Sequence, residues 1–142
     1  MTEHEVYWLL FTDVLVSNFA ISTNSEIVLD TLQIFGGHDQ KVIFLVTLSA
    51  YMCSVCVNHL FGRVCYKILA PMNESRVEFD RKILVVNKFL PLILMISPLP
   101  FFGKFIILLS GFCRAKFKIV FIIALLAKCC YYLYSYANIP LF

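Results

Sequence analysis

The stretch FLPLILMISPLPFFGKFIILLSGF, residues 89–112, decides the fold of this chain. Its 24 residues are long and apolar enough for a transmembrane helix. Its centre, however, carries Pro98, Pro100, Gly103 and Lys104. Proline removes a backbone donor and breaks the helical hydrogen-bond ladder, and a charge at the bilayer centre is costly. The stretch is therefore either an interrupted full crossing or a hairpin that enters the membrane and returns.

The composition indicates a membrane protein. Of the 142 residues, 61% are hydrophobic, whereas a soluble domain is typically about 45–50% apolar. A core of this size cannot enclose the excess, so we expect much of it to face lipid. The chain is read as one polytopic membrane domain spanning residues 1–142.

Two uninterrupted segments are predicted to cross the membrane. Residues 42–62 and 117–137 are 21 residues each, which corresponds to about 31 Å of helix. The first is expected to end at Gly62 and Arg63, and the second carries Lys128 near its centre. Tyrosines crowd the last turns of the second segment, as in an aromatic belt at a membrane interface.

The distribution of positive charge favours the hairpin. Six Lys or Arg residues lie between Arg63 and Lys88, and three lie in residues 113–118. A full crossing by residues 89–112 would place these two groups on opposite faces, against the positive-inside rule. A hairpin turning at Pro98–Gly103 places both in the cytoplasm. Each arm of about 8–9 residues would rise about 13 Å, roughly half of a 30 Å hydrocarbon core. The same rule explains the basic residues without a nucleic-acid partner.

A weak internal repeat extends this interpretation. Residues 6–35 fit a second hairpin with its tip at STNSE, residues 22–26. An interval of 11 residues, from 26 to 37 and from 100 to 111, precedes each predicted span. The predicted fold is therefore all-α, an inverted repeat of two re-entrant helical hairpins, each followed by a transmembrane helix. Repeat one covers about 6–63, a polar cytoplasmic linker about 64–88, and repeat two about 89–138.

Several polar residues are candidates for a site. Irregular backbone within a membrane must line a protein-enclosed or wet cavity, so the two tips are expected to enclose a polar pocket. The predicted tip and turn residues are Asn24, Ser25, Pro98, Pro100, Gly103 and Gly111. A substrate or proton path is predicted for Glu26, Asp30, Lys128 and Lys104. Two alternatives stay open: Glu26 as part of a helix N-terminal signal, and Lys128 as a structural ion pair.

Two arginines end apolar segments on the basic side. Arg63 and Arg114 are either topology anchors or a clamp for a lipid phosphate, which the planar guanidinium suits. The six cysteines are read as buried free thiols. No nucleophile–base arrangement, phosphate-binding glycine loop or zinc pattern is present in the sequence. We therefore expect no enzyme activity, no cofactor and no metal.

Three motifs carry a family resemblance. The segments SNFAISTNSEIVL (17–29), TLSAYMCSVCVNHLFGR (47–63) and SPLPFFGKFIILLSGFCRAKFKIVFIIALLAKCCYY (97–132) resemble the DedA/SNARE-associated, or VTT-domain, family, especially its short YqaA-like branch. The resemblance implies paired re-entrant helices, a bacterial cytoplasmic-membrane location and, from larger relatives, proton-dependent flipping or scrambling of lipids or polyprenyl phosphates. It implies that Glu26 is the first-tip carboxylate and Arg114 the basic residue after the second tip. Relatives usually carry an acid where Lys104 stands and an arginine where Tyr131 stands.

The expected function is translocation of an anionic lipid or polyprenyl-phosphate headgroup, with coupling to protons left open. The expected partners are membrane lipids, and a homo-oligomer is left open. A non-transporting membrane scaffold or assembly partner is the alternative, and a holin-like pore-former is the third reading.

Overall fold

The computed structural model describes residues 3–19, 37, 39–70, 72, 75–96 and 102–137. These residues form five helices: α1 (Glu3–Ser17), α2 (Gln40–Leu69), α3 (Ser75–Leu94), α4 (Phe102–Phe112) and α5 (Phe117–Ala137). No strand occurs within these ranges, so the all-α prediction is confirmed for them. The predicted tip and path residues Asn24, Ser25, Glu26, Asp30, Pro98 and Pro100 lie outside the described residues.

Helix α2 is longer than the sequence predicted. It begins after Asp39, whose side chain accepts a hydrogen bond from the backbone N–H of Lys41 at 3.1 Å, as an N-cap does. The helix continues past Gly62, so the prediction that it ends there is wrong. It ends at Leu69, one residue before Ala70. Ala70 precedes a proline in the sequence, and the α conformation is disfavoured before proline.

Helix α3 joins two stretches that the sequence separates. Its polar first half falls in the predicted linker, and its apolar second half is the first arm of the predicted hairpin. Pro91 lies inside the helix one turn before its end at Leu94, and Met95 and Ile96 form a turn. The first arm is therefore part of a 20-residue helix.

Helices α3 and α4 run in opposite directions beside α2. Near the start of α3, Asp80 accepts a hydrogen bond from Tyr66 at 2.6 Å. After the end of α4, the Cys113 carbonyl accepts one from Asn87 at 2.7 Å, and Tyr66 packs on Phe112. The start of α3 and the end of α4 therefore both lie beside the C-terminal part of α2. Helix α3 ends at Leu94 and α4 begins at Phe102; the predicted turn residues Pro98 and Pro100 lie outside the described residues.

Helices α1 and α2 run parallel. Leu10 and Val14 share an apolar cluster with Ile43 and Ala50, and the Asn58 side chain donates to the Asn18 carbonyl at 2.7 Å. Helices α1 and α2 therefore start at the same end of the bundle.

The central core lies where α2, α3, α4 and α5 meet. Its buried residues are Tyr51, Val55, Leu90, Leu94, Ile107, Val120 and Ala124. The exterior is also apolar: Trp8 is 68% exposed, Leu92 71% and Leu133 67%. Among the described helices, α2 and residues 117–134 of α5 are long and apolar enough to cross a membrane, while α4 has only 11 residues.

Candidate functional site

A glycine pair brings α2 and α4 into backbone contact. A Cβ atom on Gly62 would overlap the Leu108 carbonyl oxygen and lie 2.7 Å from the Phe112 nitrogen, and one on Gly111 would overlap the His59 carbonyl oxygen. Small residues permit such close helix approach in membranes. The predicted turn glycines are thus helical: Gly111 lies at this crossing and Gly103 in the first turn of α4. For these two positions the turn assignment is wrong.

The crossing places His59, to which the sequence gave no partner, against Ser110. His59 is 1% exposed, and its Nδ1 lies 3.2 Å from Ser110 Oγ. Ser110 Oγ also donates to the Ile107 carbonyl at 2.6 Å. Because a serine hydroxyl has one proton, the contact with His59 requires Nδ1 to carry the proton. His59 Nε2 is buried and has no hydrogen-bond partner in the described ranges.

Lys128 is held by tyrosine rings. It is 4% exposed, and its Nζ lies 4.8 Å from the ring centroid of Tyr51, 5.0 Å from that of Tyr132 and 5.7 Å from that of Tyr131. Cation–π contacts stabilise a desolvated ammonium by about 2 kcal/mol. Two tyrosines that the sequence assigned to an interfacial belt therefore contact the lysine. Their spacing on α5 was visible in the sequence, whereas the contribution of Tyr51 was not.

Lys104 meets the end of α1. It is 8% exposed, and its Nζ donates to the Ser17 carbonyl at 3.4 Å. Together with the bond from Asn58 to the Asn18 carbonyl, this places two donors on the C-terminal carbonyls of α1, where the helix dipole favours positive charge. The start of α4 and the end of α1 therefore meet beside α2.

The two buried lysines lie at similar depths from the connection between α4 and α5. Lys104 is eight residues from the end of α4, and Lys128 is eleven residues from the start of α5. At 1.5 Å per residue, these intervals correspond to about 12 Å and about 16 Å. The structure thus places both cations well inside the bundle, on neighbouring helices.

Arg63 and Arg114 both lie at the end of the bundle where α4 is joined to α5. Arg63 Nη2 lies 3.5 Å from the Ala115 carbonyl oxygen, and the Arg114 guanidinium carbon lies 5.3 Å from the ring centroid of Tyr66. Both arginines are exposed. In the described part of the chain the ion pair is Lys82 with Glu78, so neither arginine is paired there with a carboxylate.

The backbone at Arg114 is unusual for an arginine. Its φ is 57°, in the left-handed region. Its N–H donates to the Gly111 carbonyl at 3.0 Å, and the Ala115 N–H donates to the Ser110 carbonyl at 3.0 Å. This is a Schellman motif, and Arg114 occupies the position that usually carries glycine. The left-handed backbone is less favourable for arginine than for glycine, so the backbone alone does not account for an arginine at this position.

No group of three His, Cys, Asp or Glu residues suited to a metal occurs within the described ranges. Cys113 is a buried free thiol near Tyr66, and burial raises the pKa of this thiol above its ordinary value. A neutral, protonated thiol is a poor nucleophile and metal ligand.

Comparison with known proteins gives one informative relative. The chain is 33% identical over 134 residues to the uncharacterized protein RP436 of Rickettsia prowazekii (strain Madrid E), covering 93% of this chain and 95% of that protein. The chain belongs to the family of this rickettsial protein. No family model and no solved structure matches the chain. The helices and site described above are thus the basis for assigning a function.

Proposed function

We propose that this protein is an α-helical integral protein of the bacterial cytoplasmic membrane that moves, or helps to move, an anionic lipid headgroup across the bilayer. The observation that carries the proposal is the pair Arg63 and Arg114. Two exposed guanidinium groups lie at one end of the bundle and are not neutralised by any described carboxylate. Such a pair suits the geometry and charge of a phosphate.

The helix lengths and surfaces support a membrane location. Helices α2 and α5 are long enough to span the bilayer, and their outward faces carry many exposed apolar side chains. Helix α4, at about 16 Å, covers only half of a 30 Å hydrocarbon core. Because the start of α3 and the end of α4 lie together, this pair would enter and leave on one side.

The charges support an orientation. Basic residues gather at the end where α2 finishes, α3 begins and α4 joins α5, and they include Lys67, Arg76, Arg81, Lys116 and Lys118. At the opposite end the described basic residue is Lys41. Under the positive-inside rule, the end that carries Arg63 and Arg114 would be cytoplasmic.

A path inward from the arginines would pass the buried lysines. Lys104 and Lys128 provide cations at depths where a phosphate would otherwise lose its hydration. The resemblance to the DedA/VTT family adds Glu26 as the acid at the first tip, and the sequence spacing would place Asp30, four residues later, on the same face of a helix. Lys104, where relatives usually carry an acid, would make this path more positive than theirs.

A non-transporting scaffold is the second candidate, favoured by how Lys128 is packed. Its ammonium is held against three rings, and the adjacent helices are locked by the glycine crossing. In this reading Lys128 stabilises the bundle, or an assembly containing it, without contacting a headgroup.

A headgroup-translocation assay in liposomes tests the proposal. Wild type would be compared with Glu26→Gln, Lys128→Ala and Arg114→Gly, each expected to slow movement of a labelled anionic phospholipid. Lys82→Ala is the matched control, since Lys82 is an exposed lysine at the same end, paired only with Glu78. Equal rates for all variants, or no rate above that of empty liposomes, would refute transport. Altered stability or complex formation without lipid movement would favour the scaffold.

A further inference from the structure

Tyr66 contacts both an acidic and a basic side chain at the end of the bundle that carries the two arginines. It is 4% exposed, its hydroxyl donates to Asp80 Oδ1 at 2.6 Å, and its ring lies 5.3 Å from the Arg114 guanidinium carbon. Phe79 stacks on the ring at 6.2 Å and Phe112 meets it edge-on at 5.9 Å. One fixed side chain thus contacts both charged groups through different parts of its surface.

The Tyr66 hydroxyl group determines which group Asp80 binds. A carboxylate close to a guanidinium ordinarily forms a bidentate ion pair with it. Here one carboxylate oxygen accepts a short bond from Tyr66, and no ion pair joins Asp80 to an arginine in the described ranges. The short bond from Tyr66 therefore anchors Asp80 at the hydroxyl end of the ring, whereas Arg114 lies over the ring face.

The Tyr66 ring restrains the position of the Arg114 guanidinium. Stacking over an aromatic face restrains the guanidinium without consuming its N–H donors. No hydrogen bond from the Arg114 side chain to another described residue competes for them. Arg63 is held alongside by the Ala115 carbonyl. Donors that are fixed before a ligand arrives lose less entropy on binding.

We propose that Tyr66 is a positioning residue for a phosphate-binding site formed by Arg114 and Arg63, and that it acts by keeping Asp80 from pairing with Arg114. The ligand is a phosphate group, carried by a lipid or free in solution. The identification of the phosphate as a transported headgroup rests on the proposed function, whereas phosphate binding itself does not require transport.

Binding by the full chain in detergent micelles tests this inference. The probes are a short-chain phosphatidylglycerol and, separately, inorganic phosphate, titrated against wild type, Tyr66→Phe, Asp80→Asn and the double variant. Tyr66→Phe keeps the ring but frees Asp80 to pair with Arg114, so binding is expected to weaken about fivefold. Asp80→Asn is expected to bind at least as tightly as wild type. The double variant is expected to recover to within about twofold of Asp80→Asn, because the amide cannot neutralise Arg114.

Recovery of binding in the double variant distinguishes a positioning role of the Tyr66 hydroxyl from a structural one. Unfolding midpoints of all four proteins are recorded in the same micelles, and a structural role for the hydroxyl predicts that the double variant stays as weak as Tyr66→Phe. That result, or no binding of either probe by wild type, overturns the inference. If the four proteins show the expected order of affinities for the lipid but not for inorganic phosphate, the ligand is a lipid phosphate. If they show it for both probes, the site recognises the phosphate group itself. The same pattern without translocation refutes only the transport proposal, and translocation without the pattern refutes only this inference.

Discussion

Replacing Arg114 with glycine separates the requirements of the fold from those of the site. Arg114 holds φ at 57°, which costs a non-glycine residue about 1–2 kcal/mol. Glycine removes that cost but adds about 0.5–1 kcal/mol of chain entropy to the unfolded state. The substitution also removes the cation–π contact with Tyr66, about 0.5–1 kcal/mol at an exposed site. These terms nearly cancel, so the free energy of unfolding of Arg114→Gly is expected to stay within about 1 kcal/mol of wild type.

Arg114→Ala is the matched variant. It loses the same ring contact but keeps the left-handed strain, so it is expected to be less stable than wild type by about 0.5–1 kcal/mol. Reversible unfolding in detergent gives both values, and liposome translocation gives the rates. Both variants are expected to translocate slowly, because both lack the guanidinium. A loss of more than about 2 kcal/mol in Arg114→Gly would refute the account of the backbone, since single changes of that size need a structural cause. A wild-type rate would refute the role of the side chain.

Four further predictions concern helix packing, the buried cation, membrane placement and the buried thiol. Gly62→Ala forces a methyl group onto backbone atoms of α4 and is expected to lower the free energy of unfolding by about 2–3 kcal/mol; a change below 0.5 kcal/mol by reversible unfolding would contradict the crossing. Lys128→Met keeps an unbranched side chain, one heavy atom shorter, but removes the charge held by the rings, so it is expected to slow translocation with little loss of helicity by circular dichroism; an unchanged rate would assign Lys128 to structure. Cys53 is exposed on the fold within α2, so in intact membranes it is expected to resist a membrane-impermeant maleimide and to react after denaturation; rapid labelling without denaturant would place α2 in water. Cys113 is expected to react slowly at neutral pH and faster as pH rises, because its raised pKa leaves little thiolate; a fast, pH-independent reaction would contradict its burial.

Local patterns predicted the helices well where the pattern was uninterrupted. The bounds 117–137 of the second predicted span coincide with α5, Phe117–Ala137, because that segment has neither a proline nor a glycine. The end of α2 was misplaced because Gly62 was read as a helix stop. A glycine can serve either as a stop or as a contact surface, and only the helix packed against it reveals which.

The site was predicted less completely than the helices. The sequence singled out Arg63, Arg114, Lys104 and Lys128 from their charge and position, and the structure places the arginines at one end of the bundle and buries the lysines. The sequence did not identify Tyr66. Like many other residues, Tyr66 lies where an apolar segment gives way to a polar one, so nothing local distinguishes it. Its partners are 14 residues away at Asp80 and 48 residues away at Arg114.

The sequence by itself determined that the described residues are helical and where the apolar segments lie, since helical propensity and apolar pattern act locally. The tertiary structure alone decided which side chains meet. The approach of Gly62 to Gly111 sets the distance between α2 and α4. From that crossing follow the contacts of Ser110 with His59 and of Tyr66 with Arg114. Such contacts depend on how distant helices cross, and helix periodicity carries no information about that crossing.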